Sequence, residues 1–398
     1  MQVKSKRGDE VRLYCDLEEK FEFGELIEIS EEDRSVIVQV VDIEQDSELI
    51  LAGEKGREIV AKIRLEGLGG EHRIYKEWSG WFPSTPMLIK KVKASNVLAL
   101  DSWRENLPLG RERANEDVFK ISPRDLWTLN VVAGIRSDAL LGMLATILCL
   151  KEYKVAVLDT TGNFIKNLNK VVRERFRVLK LGEDLKLPLS MLNRDFFAIY
   201  GWPEPLLTLF DGIHRKHRKS SLRRILMELS LRKDTDMFID FLDSLSDILT
   251  IEENELSLYK YLILDISKYE GPPAFLAALY YLLKPGYRYI FLTNIRSFHV
   301  SDIEKLARVF ISKRKPVFID IGVDTELSVL LRYAVNLFFT GPYNRLLEDI
   351  FPLLEQEEPL IRRLSSEEFL INGLLTKNIP LILTMLREED LRGGYALL

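Results

Sequence analysis

The sequence predicts an α/β fold with a parallel-rich central sheet, preceded by a small N-terminal β-barrel and carrying a helical insertion. The first hundred residues contain five short segments rich in branched residues and separated by turn-formers, which is typical of a small barrel. From about residue 127, continuous apolar runs alternate with helical patterns, as in parallel strands covered on both faces. A longer helical stretch follows the second of these runs.

The five N-terminal segments give the first domain. They are VRLYCDL (11–17), GELIEIS (24–30), SVIVQVVDI (35–43), IVAKIRLEG (59–67) and MLIKKVK (87–93). Asn, Pro, Gly and mixed charges between residues 101 and 117 indicate a connection rather than an element. We therefore predict a β-barrel at 1–103, a linker at 104–126 and the α/β domain at 127–398.

Six apolar runs predict the buried strands of the α/β domain. They are TLNVVAG (128–134), KVAVLDTT (154–161), YLILDIS (261–267), RYIFLTN (288–294), PVFIDIG (316–322) and VNLFFTG (335–341). An apolar helix is expected at 138–150, directly after the first run. The helical insertion is expected at about 195–256.

Composition indicates an ordinary globular protein and argues against a strongly basic or disulfide-rich one. The chain of 398 residues is 46% hydrophobic and 29% charged, an ordinary globular balance. Its formal net charge of −5 means that nucleic-acid binding would require a local basic patch. Cys15 and Cys149 are the only cysteines, so we expect a reducing compartment and no disulfide scaffold.

We also expect a cytoplasmic protein. The apolar run Ala139 to Leu150 is too short to span a membrane. The opening residues, MQVKSKRGDE, have no apolar segment of the kind found in signal peptides. Only four glutamines occur among abundant charged and aliphatic residues, which is compatible with a thermophilic source.

A strand, a glycine and a helix form the setting of a phosphate-binding loop. That loop requires G-x-x-x-x-G-K-[ST], whose lysine reaches the outer phosphates and whose hydroxyl holds magnesium. The corresponding stretch starts at Gly134 and keeps the first glycine. Ala139 stands for the second glycine, Leu140 for the lysine and Leu141 for the hydroxyl residue.

The neighbouring charges also oppose phosphate binding. No lysine occurs between Lys120 and Lys151, so another register does not restore the motif. Asp138 places a carboxylate at the helix N-terminus, which otherwise attracts anions. We therefore predict loss of ATP hydrolysis and no cofactor. Weak nucleotide binding through Arg136 remains open, as does an unrelated strand-turn-helix.

The order of several pieces resembles the HerA branch of the HerA/FtsK ATPases. The pieces are GDEVRLY, GELIEIS, SVIVQVVDI and WFPSTPMLIKKV, then LDTTGNF where the family has D-P-H-G-E-Y, then VLKLGEDLKLPLSML (178–192) and YLILDISKYEG (261–271). The resemblance implies a RecA-like P-loop NTPase fold behind an N-terminal HAS barrel that docks a partner. It also implies a hexameric ring.

The chain departs from that family at its functional positions. The family's acidic strand ends in D-E-A-H, and Thr293 and Asn294 stand at the acidic pair here. Ile321 and Gly322 stand where the family has a Thr-Gln phosphate sensor, and Arg314 is left as a candidate relic of the trans-acting arginine. Together these departures indicate a pseudo-ATPase, because hydrolysis needs a carboxylate that orients water.

One segment is strongly basic. HRKHRKSSLRR (214–224) holds six cations and no acid: Arg215, Lys216, Arg218, Lys219, Arg223 and Arg224. It would contact nucleic-acid phosphates or an acidic partner, or it is a solvated helix face. His214 and His217 lack a nearby cysteine or carboxylate pair, so we predict no metal site. Asp265 is either a general base or a turn cap.

The leading hypothesis is a non-hydrolysing HerA-like homo-oligomer, a ring of six, that acts as scaffold or regulator of DNA-end processing. The resemblance implies a NurA-like nuclease or another HerA-family protein as partner, with weak DNA contact and no membrane. Two alternatives stay open. One is an active ATP-driven DNA translocase with unconventional motifs, and the other is a regulatory subunit that mixes into an active HerA ring.

Overall fold

The computed structural model describes residues 1–16, 18–45, 56–69, 73–84, 88–98, 106–113, 116–126, 128–217, 222–251, 259–283, 286–295, 298–345 and 357–392. Contacts within the chain divide it into two compact units. The first unit comprises Met1–Asp125, Gly134–Arg136 and Asn336–Leu398. The second comprises Leu126–Ala133 and Ser137–Val335. The C-terminal residues therefore fold with the N-terminal region, whereas the sequence predicted one continuous domain at 127–398.

The described strands and helices follow in chain order. The strands are β1 (Gln2–Arg7), β2 (Glu10–Asp16), β3 (Leu26–Glu31), β4 (Arg34–Gln45), β5 (Gly56–Leu68), β6 (Ile74–Glu77), β7 (Leu88–Val92), β8 (Leu107–Glu112), β9 (Val118–Ile121), β10 (Leu129–Gly134), β11 (Val155–Asp159), β12 (Arg177–Lys180), β13 (Leu187–Pro188), β14 (Leu249–Thr250), β15 (Tyr261–Asp265), β16 (Tyr289–Thr293), β17 (Val317–Gly322), β18 (Asn336–Thr340), β19 (Glu368–Gly373) and β20 (Leu381–Thr384). The helices are α1 (Ala94–Leu98), α2 (Ser137–Leu150), α3 (Lys170–Arg173), α4 (Arg194–Tyr200), α5 (Glu204–Lys216), α6 (Leu222–Leu229), α7 (Asp236–Asp243), α8 (Pro272–Leu283), α9 (Val300–Lys313), α10 (Glu358–Ile361) and α11 (Glu388–Arg392).

The N-terminal strands form an antiparallel sheet in the order β1-β2-β5-β4-β3-β7, with β6 beside β5. Alternate residues of these strands point into one apolar core, which includes Val11, Leu13, Ile27, Ile29, Val36, Val38 and Ile59. This period of two is what a sheet with one buried face requires. Among the described strands no pair joins β1 to β7, so the order is that of a sheet, and barrel closure is not shown.

Glu66 on β5 is a buried carboxylate in this sheet, with no exposed surface. It accepts hydrogen bonds from the Ser79 hydroxyl, from the Ser79 amide at 3.2 Å and from Nη2 of Arg34 at 2.5 Å. The Ser79 hydroxyl has the largest effect on the acidity of the group, and Arg34 adds to it. Together they lower the pKa of Glu66 to about 2.

We expect Glu66→Gln to lower the free energy of unfolding by about 2 kcal/mol near pH 7. Because the folded pKa lies below the unfolded value of about 4.3, this stabilisation is full above the unfolded pKa and disappears as pH falls toward 2. Urea unfolding of both proteins between pH 7 and pH 3 measures the change. Glu77→Gln, at an exposed position of the same sheet, is the control. A difference that stays constant with pH would contradict the assignment.

The predicted linker at 104–126 instead contains two strands. β8 and β9 pair with each other, and β8 pairs with β20, in the antiparallel order β18-β19-β20-β8-β9. Leu107 and Leu109 are buried in β8, which is buried along most of its length, and Phe119 and Ile121 are the buried residues of an alternating β9. Pro108 and Gly110 conceal β8 in the sequence, because both residue types ordinarily mark turns.

The second unit contains six parallel strands in the order β12-β15-β11-β16-β17-β10. β10, β11 and β16 are buried along their whole length, as expected for parallel strands covered on both faces. α2 lies against this sheet and buries most of its residues. The α/β fold predicted from the apolar runs is confirmed.

Four short helices, α4 to α7, fill much of the stretch predicted as a helical insertion. Three of them, α4, α5 and α7, contribute a cluster of buried aromatic rings, formed by Phe196, Phe197, Phe210, Phe238 and Phe241. This cluster gives these helices a core of their own. They need one, because helices of this length are marginal without tertiary packing. In the part of the chain that the structure describes, every helix is too short or too polar to cross a membrane.

Candidate functional site

Polar residues collect at the carboxyl ends of the parallel strands in the second unit. Asp159 ends β11, Asp265 ends β15, Thr293 ends β16, and Asp320 lies near the end of β17. Parallel strands bring these ends to one edge of the sheet, where open α/β sheets bind their ligands. This edge is therefore the place to test for nucleotide chemistry.

The turn between β10 and α2 is too short for a phosphate-binding loop. The strand ends at Gly134 and the helix begins at Ser137, so only two residues lie between them. A P-loop has four residues between its glycines, before the lysine. The positions of its second glycine, lysine and hydroxyl fall at Ala139, Leu140 and Leu141, which are already helical. Both leucines are fully buried, so their side chains pack in the core.

A glycine is required at position 134 because the backbone of β18 lies very close to it within the first unit. The φ of Gly134 is +108°, and a Cβ there would lie 2.2 Å from the carbonyl oxygen of Thr340 on β18. The amide of Arg136 donates to Oγ1 of Thr340 at 3.1 Å. Nη1 of Arg136 donates to the carbonyl of Ser366 at 3.4 Å. Packing against β18 therefore explains the retained glycine, and it also occupies an amide that would otherwise be available to phosphate.

Asp138 occupies the first turn of α2. Its Oδ1 accepts from the Ala139 amide at 2.8 Å, and its Oδ2 accepts from Nδ2 of Asn167 at 3.2 Å. A carboxylate here interacts favourably with the positive end of the helix dipole. The same negative charge opposes a triphosphate at this helix terminus.

Thr293 and Asn294, at the expected acidic pair, link neighbouring strands. Oγ1 of Thr293 accepts from the Thr160 amide at 3.1 Å, and the Thr160 hydroxyl lies 2.6 Å and 2.7 Å from the carbonyls of Thr293 and Asn294. Thr293 and Thr160 are buried. These contacts are structural, because neither side chain can take a proton from water as a carboxylate does.

Asp159 stabilises the turn that follows β11. Its Oδ1 accepts from the Thr161 amide at 2.9 Å, and its Oδ2 accepts from the Phe164 amide at 2.7 Å. Asp265 accepts from the Ser267 amide at 3.0 Å, which is the turn-capping arrangement anticipated as one of its two alternatives. Both carboxylates are thus engaged by backbone amides of their own turns.

Asp320 is the residue that the sequence reading missed. It is buried, its Oδ2 accepts from the Asn294 amide at 3.2 Å, and its Oδ1 accepts from the Gly322 amide at 2.8 Å. Burial raises the pKa of Asp320, while a hydrogen bond with the side chain of Ser137 works in the opposite direction. A single acid inside the apolar run FIDIG is the signal that points to such a position.

The sensor positions, Ile321 and Gly322, end β17 at this edge, and the arginine position does not lie there. Ile321 is fully buried, and Gly322 turns the chain at φ +55°. Arg314 is the exposed residue that ends α9, three positions before β17 begins. It therefore lies at the amino end of its strand, opposite to the carboxyl edge. In the described part of the chain, no three His, Cys, Asp or Glu side chains are grouped closely enough to hold a metal ion.

The basic segment lies on the helices of the insertion. Arg215 and Lys216 are in the last turn of α5, and Arg223 and Arg224 are exposed on α6. Arg218 and Lys219 fall outside the described residues.

The sequence matches no protein-family model and no curated protein. Several solved structures are similar at low identity. VirB4 of Thermoanaerobacter pseudethanolicus is 11% identical over 72% of this chain and 98% of that chain, with a TM-score of 0.49. The bacterial conjugative coupling protein TrwB is 12% identical over 74% and 92%, with a TM-score of 0.48. The genome packaging NTPase B204 from Sulfolobus turreted icosahedral virus 2 is 7% identical over 66% and 100%, with a TM-score of 0.34.

Proposed function

We propose that this chain is a pseudo-ATPase: a RecA-like P-loop relative that does not hydrolyse ATP and acts as a structural or regulatory subunit. The observation that supports this most directly is the two-residue turn between β10 and α2. A turn of this length has too few amides to surround a triphosphate. One of them, from Arg136, already donates to Thr340.

The chemistry of the carboxyl edge supports the same proposal. Hydrolysis needs a cation on the outer phosphates, a magnesium ligand and a carboxylate that orients water. Leu140 and Leu141 stand where the phosphate-binding cation and the magnesium ligand would be. Thr293 and Asn294 stand where the acidic pair would be. A missing charged hydrogen bond costs about 1.5–3 kcal/mol, and loss of a general base costs about 10²–10⁴-fold in rate. The acids at this edge, Asp159, Asp265 and Asp320, already accept backbone amides.

We further propose that the chain forms a homo-oligomeric ring of six and serves as scaffold or regulator of DNA-end processing. The proposed partner is a NurA-like nuclease or a HerA-family protein. The support is the sequence resemblance, together with the physical advantage that a ring presents several docking sites at once. Native mass spectrometry tests the ring, and identification of the proteins that co-purify from the source cell tests the partner. A strict monomer without partners would contradict this assembly.

Phosphate release from ATP and magnesium should equal that of a protein-free blank, with or without DNA. Because the site has neither the phosphate-binding cation nor the water-orienting acid, Arg136→Ala and Asp265→Asn should give the same rate as the unmodified protein. The experiment is a steady-state phosphate assay with all three proteins. The active-translocase alternative would be supported instead if DNA stimulated a turnover that either substitution abolished. Co-purification of an active paralogue would support the mixed-ring alternative.

A further inference from the structure

A groove on the helical insertion combines positive charge with exposed apolar side chains. It lies in the second unit, between the end of α5 and the residues of α6 and its following turn, and it is a solvent-open depression of about 930 Å³. That volume is near the upper end of the range for ligand sites, which is about 300–1,000 Å³. The groove is therefore large enough to receive several side chains of a partner.

The charge in the groove is unbalanced. Glu228 is the acid among its lining residues, and it is already paired with Lys216 at 2.9 Å and with His217. Arg223, Arg224 and Arg232 also line the groove. Within the described residues, no carboxylate lies within ion-pair distance of these three guanidinium groups. Their charge is available to a partner, and interfaces place negative charge against such a patch.

Apolar side chains lie between the arginines. Met227 is 66% exposed and follows Arg223 by four residues, so the two share one face of α6. Leu231 is 82% exposed and lies two residues after the end of the helix. The opposite face of α6 buries Leu222, Ile225 and Leu229. Two large apolar residues, one on α6 and one just after it, are therefore exposed to solvent, although α6 already packs its other face into the core.

We propose that this groove binds an acidic amphipathic helix of a protein partner. Such a helix would place its apolar face on Met227 and Leu231 and its carboxylates on Arg223, Arg224 and Arg232. Methionine suits this use because its flexible, polarizable side chain adapts to different apolar surfaces. Single-stranded nucleic acid stacks its bases on aromatic rings; the lining residues include no phenylalanine, tyrosine or tryptophan, and the ring of His217 is already paired with Glu228. The inference does not depend on the state of the nucleotide site.

The first measurement uses the full chain and a fluorescein-labelled peptide of about 18 residues, with leucines at i, i+3, i+4 and i+7 and glutamates on the polar face. Fluorescence anisotropy should show binding that weakens as salt rises. The same peptide with glutamine in place of glutamate should bind about tenfold more weakly, because the ion pairs are lost. Single-stranded DNA of about 20 nucleotides is the competing probe.

Two variants separate charge from apolar contact. Arg223→Glu with Arg224→Glu should weaken the acidic peptide by about tenfold or more. Met227→Ser with Leu231→Ser should weaken it about fivefold and should leave any DNA binding unchanged. Arg308→Glu with Lys313→Glu is the matched control, because both residues are exposed on α9 and the change in net charge is the same.

The outcomes are distinct. Salt-sensitive peptide binding that both groove variants weaken and the α9 variant retains supports the proposal. It is overturned if the peptide does not bind, if the groove variants bind it as well as the unmodified protein does, or if DNA alone binds. If the charge-reversal variant does not fold by circular dichroism, the serine variant and the glutamine peptide still decide the question.

Discussion

Gly142→Ala is expected to lower the free energy of unfolding by about 3 kcal/mol. Gly142 is in the middle of α2, where alanine would ordinarily be the better helix residue. A Cβ at this position would lie 2.2 Å from the carbonyl oxygen of Asn167 and 2.7 Å from its carbonyl carbon. Backbone atoms cannot move aside as the end of a flexible side chain can, so α2 or the 3-10 turn Phe164–Asn167 must shift.

The control is Gly212→Ala in α5, where a Cβ would meet no atom within 4 Å. There the helix propensity acts alone, and the substitution should stabilise the protein by about 0.8 kcal/mol. Urea unfolding followed by circular dichroism measures both variants. Equal effects of the two substitutions, in either direction, would show that the close approach of α2 to Asn167 is not present.

Phe197→Ala is expected to cost about 4 kcal/mol. The Phe197 side chain is fully buried in the aromatic cluster. Its ring centroid lies 4.8 Å from that of Phe210 and 5.3 Å from that of Phe238, both edge-on. Truncation removes these contacts and leaves a cavity among rings on short helices, which have little stability of their own.

Met237→Ala is the matched control, because Met237 is on α7 in the same helical insertion but is 79% exposed. Its effect should stay within about 0.5 kcal/mol. Hydrogen exchange followed by mass spectrometry can locate the residues that lose protection from exchange in Phe197→Ala. We expect them in α4 to α7 rather than in the parallel strands. Uniform loss of protection across the second unit would contradict a separate core for the insertion.

The parallel strands could be predicted because their signal is local. Runs such as YLILDIS and PVFIDIG are continuous apolar segments bounded by polar residues, and the structure places β15 and β17 within them. β8 could not be recognised in the same way. Its residues LPLGRE contain proline and glycine, and its buried leucines are recognisable only when β20 and β9 are seen on either side.

At the candidate site, the residue types were legible in the sequence but their contacts were not. The leucines at positions 140 and 141, where the predicted motif would need a lysine and a hydroxyl, can be read directly from the sequence. Asp320 gave only a weak signal, because a single acid in an apolar strand is also compatible with a turn. Besides the amide of Gly322 on its own strand, its partners are distant along the chain: the amide of Asn294 and the side chain of Ser137.

The sequence by itself determined the α/β class and the absence of a lysine and a hydroxyl residue at positions 140 and 141, because hydrophobic periodicity and residue identity are local properties. Only the tertiary structure decided how short that turn is and what Gly134 contacts. Thr340, which faces Gly134 and accepts the Arg136 amide, is about two hundred residues away along the chain. Contacts over such separations depend on how strands are ordered and spaced, and that ordering is set by packing between elements.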